Sequence, residues 1–148
     1  MKNKMKKSKG FTIIELVAVM AIIAVILGAV IAAVQGATNN SRIASTLASI
    51  RALQTASLNY YNTNGGSYSN LSLANLASNN MLPANVTGTN AWNGTITVAP
   101  DANGNYFDIT LTNVPSQATA TSLSNAVANL TQAAPTYTQS SEKWVGVF

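Results

Sequence analysis

A run of nineteen residues from Leu16 to Val34 carries no charged or strongly polar side chain. At about 1.5 Å of rise per residue, a helix of that length is just long enough to cross a hydrocarbon layer of about 30 Å. An ordinary cleaved secretory signal has a shorter apolar region, followed by small residues at its cleavage site. The run therefore predicts a membrane-spanning helix near the start of the chain.

A glutamate, Glu15, lies at the head of this apolar run, and Gly10 and Phe11 come shortly before it. A carboxylate in that position costs a few kcal/mol to insert, so we expect it to need a cationic partner. Cleavage after Gly10 would create one, because the new amino group of Phe11 would lie one helical turn before Glu15. Basic residues before a first transmembrane helix stay in the cytoplasm, and the segment before Gly10 contains Lys2, Lys4, Lys6, Lys7 and Lys9.

These five lysines also account for the positive charge of the chain. The full sequence has eight Lys and Arg residues against four Asp and Glu residues, which gives a formal charge of +4. Without the lysines that precede Gly10, the balance is 3 − 4 = −1. The basic balance therefore gives no indication that the cleaved chain binds nucleic acid.

No set of residues indicates catalysis, a metal site or a bound cofactor. The sequence has no cysteine and no histidine, so it lacks a disulfide framework and the commonest acid–base and metal-ligating side chains. Asp101, with Asn103 and Asn105, is weakly similar to a calcium loop, but it has too few charged oxygen ligands and no Glu at the twelfth position. We therefore expect a protein that is not an enzyme and needs no cofactor.

The segment Gly10-Phe11-Thr12-Ile13-Ile14-Glu15, placed between a basic leader and an apolar helix, resembles the N-terminus of bacterial type IV pilins and their relatives. The resemblance implies that a prepilin peptidase cuts after Gly10 and N-methylates Phe11. It also implies that, in a filament, Glu15 pairs with the Phe11 amine of a neighbouring subunit.

The same resemblance draws attention to Gly28. Many pilins have a proline near the middle of the apolar helix, where the helix unwinds locally on assembly, whereas this chain has Ala32 and Ala33 there. Glycine is unfavourable in a helix by about 1 kcal/mol, so Gly28 is where we expect the helix to loosen. The alternative is that Gly28 lets neighbouring helices approach closely, and the two interpretations carry equal weight.

Beyond the apolar run, the pattern stays helical but becomes amphipathic. No proline interrupts residues 11–61, which predicts one helix of about fifty residues, and the glycine pair Gly65-Gly66 is expected to end it. Between Asn39 and Tyr61 the apolar residues recur at the spacings of one helix face, and we expect all of them to pack on a core: Ile43, Leu47, Ile50, Leu53, Leu58 and Tyr61.

The remainder of the chain predicts a small antiparallel sheet. Residues 94–98 and 106–111 alternate with a period of two, and the turn residues 100–105 between them include Asn-Gly, so we expect a hairpin. Residues 116–130 predict a helix with a Ser or Thr cap, and residues 136–138 and 143–148 predict the final strands. The fold class is α+β, with a long N-terminal α-helix packed against a small antiparallel β-sheet, as in the pilin fold.

The globular part also resembles one pilin subgroup. Residues 89–98 are similar to the Trp-Gly-Gly strand of the secretory and type IVb pilins, and residues 107–115 are similar to the strand that leads to their Val-Pro. In that subgroup a cysteine after Val-Pro forms a disulfide, but residues 116–120 contain none. Because a domain of this size is marginally stable, we expect its stability to depend on assembly.

The predicted division of the chain is a leader at 1–10, a transmembrane and filament-core helix at 11–36, and the amphipathic helix half with the globular domain at 37–148.

Together these features predict the major structural subunit of a type IV pilus, which polymerises through its N-terminal helix. The implied partners are other copies of the chain, a prepilin peptidase and the pilus assembly machinery of the inner membrane. We expect the precursor and the unassembled subunit in the inner membrane and the assembled filament outside the cell. The alternatives are a minor pilin or type II secretion pseudopilin, or a plain signal-anchored protein in which Gly10 stays uncut. Adhesion, motility, DNA uptake and secretion are not separated by the sequence.

Overall fold

The computed structural model describes residues 10–148. The leader lysines lie outside the described residues, whereas Gly10, which follows them, lies within the described part of the chain. By its internal contacts the chain divides into two units, one that ends at Asn39 and one that runs from Asn40 to Phe148.

Helix α1 (Ile13–Thr63) is continuous, as the absence of proline predicts. It ends where the glycine pair was expected to end it. Gly65 and Gly66 have φ values of +69° and +78°, which glycine adopts at little cost. The Gly66 N–H donates to the carbonyl of Tyr61 at 2.9 Å and so satisfies a carbonyl of the last turn.

The unit from Asn40 onward contains the sheet and two shorter helices. In chain order the elements after α1 are α2 (Leu73–Ser78), β1 (Ile96–Pro100), β2 (Phe107–Leu111), α3 (Gln117–Val127), β3 (Thr136–Thr138), a single 3₁₀ turn (Gln139–Ser141) and β4 (Lys143–Val147). Within residues 10–148 the strands form an antiparallel four-stranded sheet in the order β1-β2-β4-β3. The α+β fold with a long N-terminal helix is therefore confirmed.

The hairpin predicted from the alternating segments is present as β1 and β2, in which Ile96 pairs with Leu111. Three strand ends differ by one or two residues, because β1 begins at Ile96 and ends at Pro100, which was assigned to the turn, and β2 begins at Phe107. Since β1 is an edge strand of the sheet, a residue without an N–H is tolerated there. The segment at Trp92, which was compared with a strand, instead forms a turn, with the Asn93 N–H bonded to the Asn90 carbonyl at 3.1 Å.

The core forms between the C-terminal part of α1, the inner face of the sheet and α3. The inner face contributes alternate strand residues, including Ile109, Leu111 and Trp144, and α3 contributes Leu123 and Val127. The α1 residues that are fully buried or nearly so are Thr46, Ile50, Leu53, Ala56, Ser57 and Tyr60.

The predicted face of α1 is correct for most of its members and wrong for Leu58. Ile50 and Leu53 are fully buried, and Ile43, Leu47 and Tyr61 pack partly buried against the core. Leu58 is 47% exposed. It lies five positions after Leu53, a step of about 140° beyond a full turn at 3.6 residues per turn, which rotates it off the buried face.

A network of hydrogen bonds holds the segment before β1 to the segment after β2. The buried Asn90 donates from Nδ2 to the Thr112 carbonyl at 2.7 Å. Its Oδ1 accepts from the Trp92 and Gly94 N–H groups, each at 2.9 Å. Gly94 is required here, because a Cβ at that position would overlap the Thr112 carbonyl.

A second network of hydrogen bonds anchors Val114. In the pilin subgroup that the globular part resembles, a disulfide lies in this region. Val114 is fully buried; its N–H donates to the Glu142 carbonyl at 2.9 Å and its carbonyl accepts from the Tyr137 hydroxyl at 2.8 Å. The Trp144 Nε1–H donates to the Ser124 hydroxyl at 3.0 Å and so connects β4 to α3. Hydrogen bonds therefore hold the C-terminal strands to the segment after β2.

Candidate functional site at the start of the long helix

The residues that the sequence places at the cleavage site are open to solvent. Gly10 is exposed, and a Cβ at that position would meet no atom within 4 Å. Phe11 is 87% exposed. Helix α1 begins only at Ile13, so the Gly10–Phe11 peptide bond lies outside regular structure. A peptidase requires an accessible bond outside regular structure, and cleavage at this bond remains a prediction.

Thr12 and Glu15 together start the helix. The Glu15 carboxylate accepts from the Thr12 N–H and from the Thr12 hydroxyl through the same oxygen, Oε2, at 2.8 Å each. In return, the Glu15 N–H donates to the Thr12 hydroxyl at 3.3 Å. This is a capping box, in which a Thr and a Glu three residues later satisfy N–H groups that a helix start leaves unpaired. A carboxylate here also lies favourably at the positive end of the helix dipole.

The role of Thr12, unlike that of Glu15, was not predicted from the sequence. The signal that identifies Thr12 is the Thr-x-x-Glu spacing immediately before an apolar run, which is typical of a helix start. The structure therefore gives the Glu15 carboxylate a partner within its own chain. The predicted pairing of Glu15 with a Phe11 amine concerns a neighbouring subunit and stays a prediction.

The apolar residues that follow are exposed on every side of the helix. Between Leu16 and Val34 the large apolar side chains retain between 48% and 75% of their accessible surface. By length and composition, α1 is a helix that can cross a membrane. A helix that is apolar all round is stable only when lipid or protein surrounds it, so this segment requires one of the two.

Gly28 lies within this segment, in unbroken helix. A Cβ at Gly28 would meet no atom within 4 Å, so none of residues 10–148 packs against this position. The continuous helix is compatible with both interpretations of Gly28, as a place where the helix loosens on assembly and as a close-approach position. Both stay predictions.

The acidic residues of the hairpin do not gather into a ligand set. Asp101 Oδ2 accepts from the N–H and the Nδ2 of Asn103, both at 3.4 Å, as in an ordinary Asx turn. Between residues 10 and 148 no three His, Cys, Asp or Glu side chains lie close enough to hold a metal ion. Burial raises the pKa of Asp108, the nearby Asp101 adds to the rise, and Lys143 opposes it.

The fold and the site define a class of protein in which an exposed apolar helix precedes a small α+β domain along the chain. A threonine and a glutamate form the capping box at the start of that helix. Residues 5–31 match the family model described as the prokaryotic N-terminal methylation motif. Residues 37–142, more than half of the chain, match the model described as PilS N terminal. The chain belongs to the type IV pilin superfamily. No curated protein and no solved structure gave a significant match.

Proposed function

We propose that this chain is the major structural subunit of a type IV pilus. The observation that carries the proposal is the apolar surface of α1 between Leu16 and Val34, which remains exposed on all sides. In the unassembled subunit lipid covers this surface, and in a filament other copies of the same helix cover it. A filament made of many such subunits would therefore have a core of packed α1 helices.

The proposed route begins with insertion of the precursor into the inner membrane, with the lysine-rich leader in the cytoplasm. A prepilin peptidase then cuts after Gly10 and methylates the new amino group of Phe11. The exposed and irregular backbone at Gly10 and Phe11 supports this assignment.

Assembly then brings the Phe11 amine of one subunit to the Glu15 carboxylate of another. In apolar surroundings this pair neutralises two costly charges, and because only one relative position of the helices allows it, the pair sets the axial register. Gly28 would either loosen the helix or admit a neighbouring helix at this stage. The assembly machinery of the inner membrane would supply the energy for extraction from the lipid.

The domain from Asn40 onward would form the outer part of the filament. It contains three basic and three acidic residues, Arg42, Arg51 and Lys143 against Asp101, Asp108 and Glu142. The charge and the exposed Ser, Thr and Asn side chains suit a repeated structural subunit better than a nucleic-acid-binding one. A minor pilin or a pseudopilin would share the N-terminal features and differ in abundance and filament length.

The test is electron microscopy of filaments sheared from cells, with intact-mass measurement of their main subunit. We expect long filaments in which this chain is the most abundant protein and begins at a methylated Phe11. Long filaments that contain the chain only in trace amounts would favour a minor pilin, and a short periplasmic structure would favour a pseudopilin. A chain that retains Met1 in the membrane would contradict the whole proposal.

A further inference from the structure

Asparagine is followed by glycine at three places, Asn64-Gly65, Asn93-Gly94 and Asn103-Gly104. Asn-Gly is prone to deamidation, because glycine has no side chain to hinder attack of its backbone nitrogen on the preceding side-chain amide. A hydrogen bond from the attacking N–H holds that nitrogen in place and protects the asparagine. The three sites differ in this respect.

Two of the three sites are protected by the fold. The buried Gly94 N–H donates to Asn90 Oδ1 at 2.9 Å. The Gly104 N–H donates to the Asp101 carbonyl at 2.9 Å. Attack at either site therefore requires prior local opening of the structure.

The third site, at the end of α1, has no such protection. The N–H groups on either side are bonded, Asn64 to the Tyr60 carbonyl at 2.8 Å and Gly66 to the Tyr61 carbonyl at 2.9 Å. The Gly65 N–H between them makes no hydrogen bond to any residue of the described chain.

The surroundings of Asn64 also leave it free to rearrange. Asn64 and Gly65 are both exposed, and a Cβ at Gly65 would meet no atom within 4 Å. Among the described residues, the Asn64 side chain is held only by a long hydrogen bond of 3.3 Å from its Nδ2 to the Ser67 carbonyl. Rotation of Asn64 toward the geometry of attack is therefore not hindered by packing.

We propose that Asn64 is a site of spontaneous deamidation in the folded protein, and that Asn93 and Asn103 are protected from it. The Gly65 nitrogen loses its proton and forms a bond to Cγ of Asn64, while Nδ2 leaves as ammonia and a succinimide ring results. Water then opens the ring at either carbonyl and gives aspartate or isoaspartate. Nothing is oxidised or reduced, and water is the only co-reactant.

The reaction places a negative charge where the helix favours a positive one. The C-terminal end of a helix attracts cations, and α1 has no basic residue in its last turn. The carboxylate also lacks the donor that Asn64 offers to the Ser67 carbonyl. The formal charge of residues 11–148 changes from −1 to −1 − 1 = −2. Deamidation of Asn64 therefore lowers the stability of the turn after α1. This effect does not depend on whether the chain forms a filament.

The experiment incubates the purified full chain in detergent micelles at neutral pH and measures deamidation of each Asn-Gly peptide by mass spectrometry. In the native state we expect Asn64 to deamidate about tenfold faster than the other two, because the protected sites must first open locally; a tenfold ratio corresponds to an opening cost of about 1.4 kcal/mol. In strong denaturant the three rates should converge, because all three share the same following residue. Equal rates in the native state, or Asn93 or Asn103 as the fastest site, would overturn the proposal.

The variant Asn90→Ala gives a second test, because it removes the acceptor of the Gly94 N–H. We expect the rate at Asn93 to rise several-fold toward that at Asn64, while the rate at Asn103 stays unchanged and so reports that the domain remains folded. If the variant unfolds, all three rates should converge as they do in denaturant. An unchanged rate at Asn93 in a folded variant would contradict the protective role of the hydrogen bond and with it the proposal.

Discussion

Both hydrogen bonds from Thr12 to Glu15 end on the same carboxylate oxygen, Oε2, at 2.8 Å each. Within residues 10–148, the other oxygen of Glu15 accepts no hydrogen bond. The cap that starts α1 therefore occupies one side of the carboxylate and leaves the other side available. Glu15 is therefore able to form the capping box with Thr12 and, through its other oxygen, to pair with an amine from another subunit.

The first prediction concerns the hydroxyl of Thr12. Thr12→Val keeps the shape of the side chain and removes a donor to Glu15 and an acceptor for the Glu15 N–H, so we expect the first turn of α1 to fray. The cost should be about 1 kcal/mol, as for other lost N-caps. Backbone chemical shifts of residues 12–16 in micelles measure the helical population, and Thr12→Ser should keep it. Unchanged shifts in the valine variant would mean that the hydroxyl is dispensable.

The second prediction tests the hydrogen bonds around Asn90. Asn90→Ala leaves the buried Gly94 N–H and the Thr112 carbonyl without partners, so we expect a loss of about 1 to 3 kcal/mol of unfolding free energy. Chemical denaturation of a fragment from Thr38 to Phe148 measures this loss. Asn85→Ala, at an exposed position, is the control and should change the midpoint little. Equal midpoints for the two variants would show that the network adds no stability.

The third prediction is a stabilising substitution in α1. The Ser57 hydroxyl is fully buried and has no hydrogen-bond partner between residues 10 and 148. Ser57→Ala removes this unpaired group and should raise the unfolding free energy by about 1 kcal/mol or more. Ser45→Ala, at an exposed position of the same helix, gains the same helix propensity without the burial effect. A gain at Ser57 no larger than that at Ser45 would contradict the argument.

The fourth prediction concerns pH. Burial of Asp108, whose Oδ1 has no partner in the described chain, raises its pKa above the ordinary value of 3.8, with a further contribution from Asp101. A raised pKa means that the folded state binds the proton more tightly than the unfolded state. The stability that the protonated carboxyl provides is therefore fully present below pH 3.8 and is lost as the pH rises through the folded-state pKa.

Asp108→Asn should accordingly stabilise the domain at neutral pH, and the gain should disappear as the pH falls below 3.8. Thermal melts of the two proteins across this range give the measurement. Glu142→Gln is the control, since it removes an exposed carboxylate that does not contribute to the raised pKa of Asp108. A gain that does not depend on pH would mean that the substitution acts through packing rather than ionisation.

The elements of the fold were predictable because their signals are local. The hairpin followed from alternation around an Asn-Gly turn, and the end of α1 followed from Gly65 and Gly66, whose backbone conformations few other residues adopt. The N-terminal motif was predictable for a similar reason, since all its residues lie within two helical turns. Thr12 was the exception, and its Thr-x-x-Glu spacing to Glu15 was available in the same six residues.

Features that depend on tertiary contacts were not predictable. Leu58 fits a loose spacing of apolar residues, but whether it is buried depends on which side of α1 the sheet covers. The role of Asn90 depends on Thr112, twenty-two residues away in the sequence, and no local pattern indicates that pairing. The protection of Asn93 and Asn103, but not of Asn64, likewise depends on hydrogen bonds that the shared Asn-Gly sequence does not reveal.

The last prediction concerns Glu15 in assembly. Glu15→Gln should leave membrane insertion and cleavage largely intact, because the basic leader and the apolar run still direct both. Filament formation should fall sharply, because each incoming Phe11 amine would be buried without its charged partner, at a cost of roughly 3 to 5 kcal/mol for a broken buried pair. Glu15→Asp should give an intermediate yield, since the charge is kept and the reach is shorter by one methylene. Sheared filaments are counted by electron microscopy, and the membrane fraction is checked for cleaved subunit. Normal filaments at normal abundance in the glutamine variant would show that this carboxylate does not determine assembly.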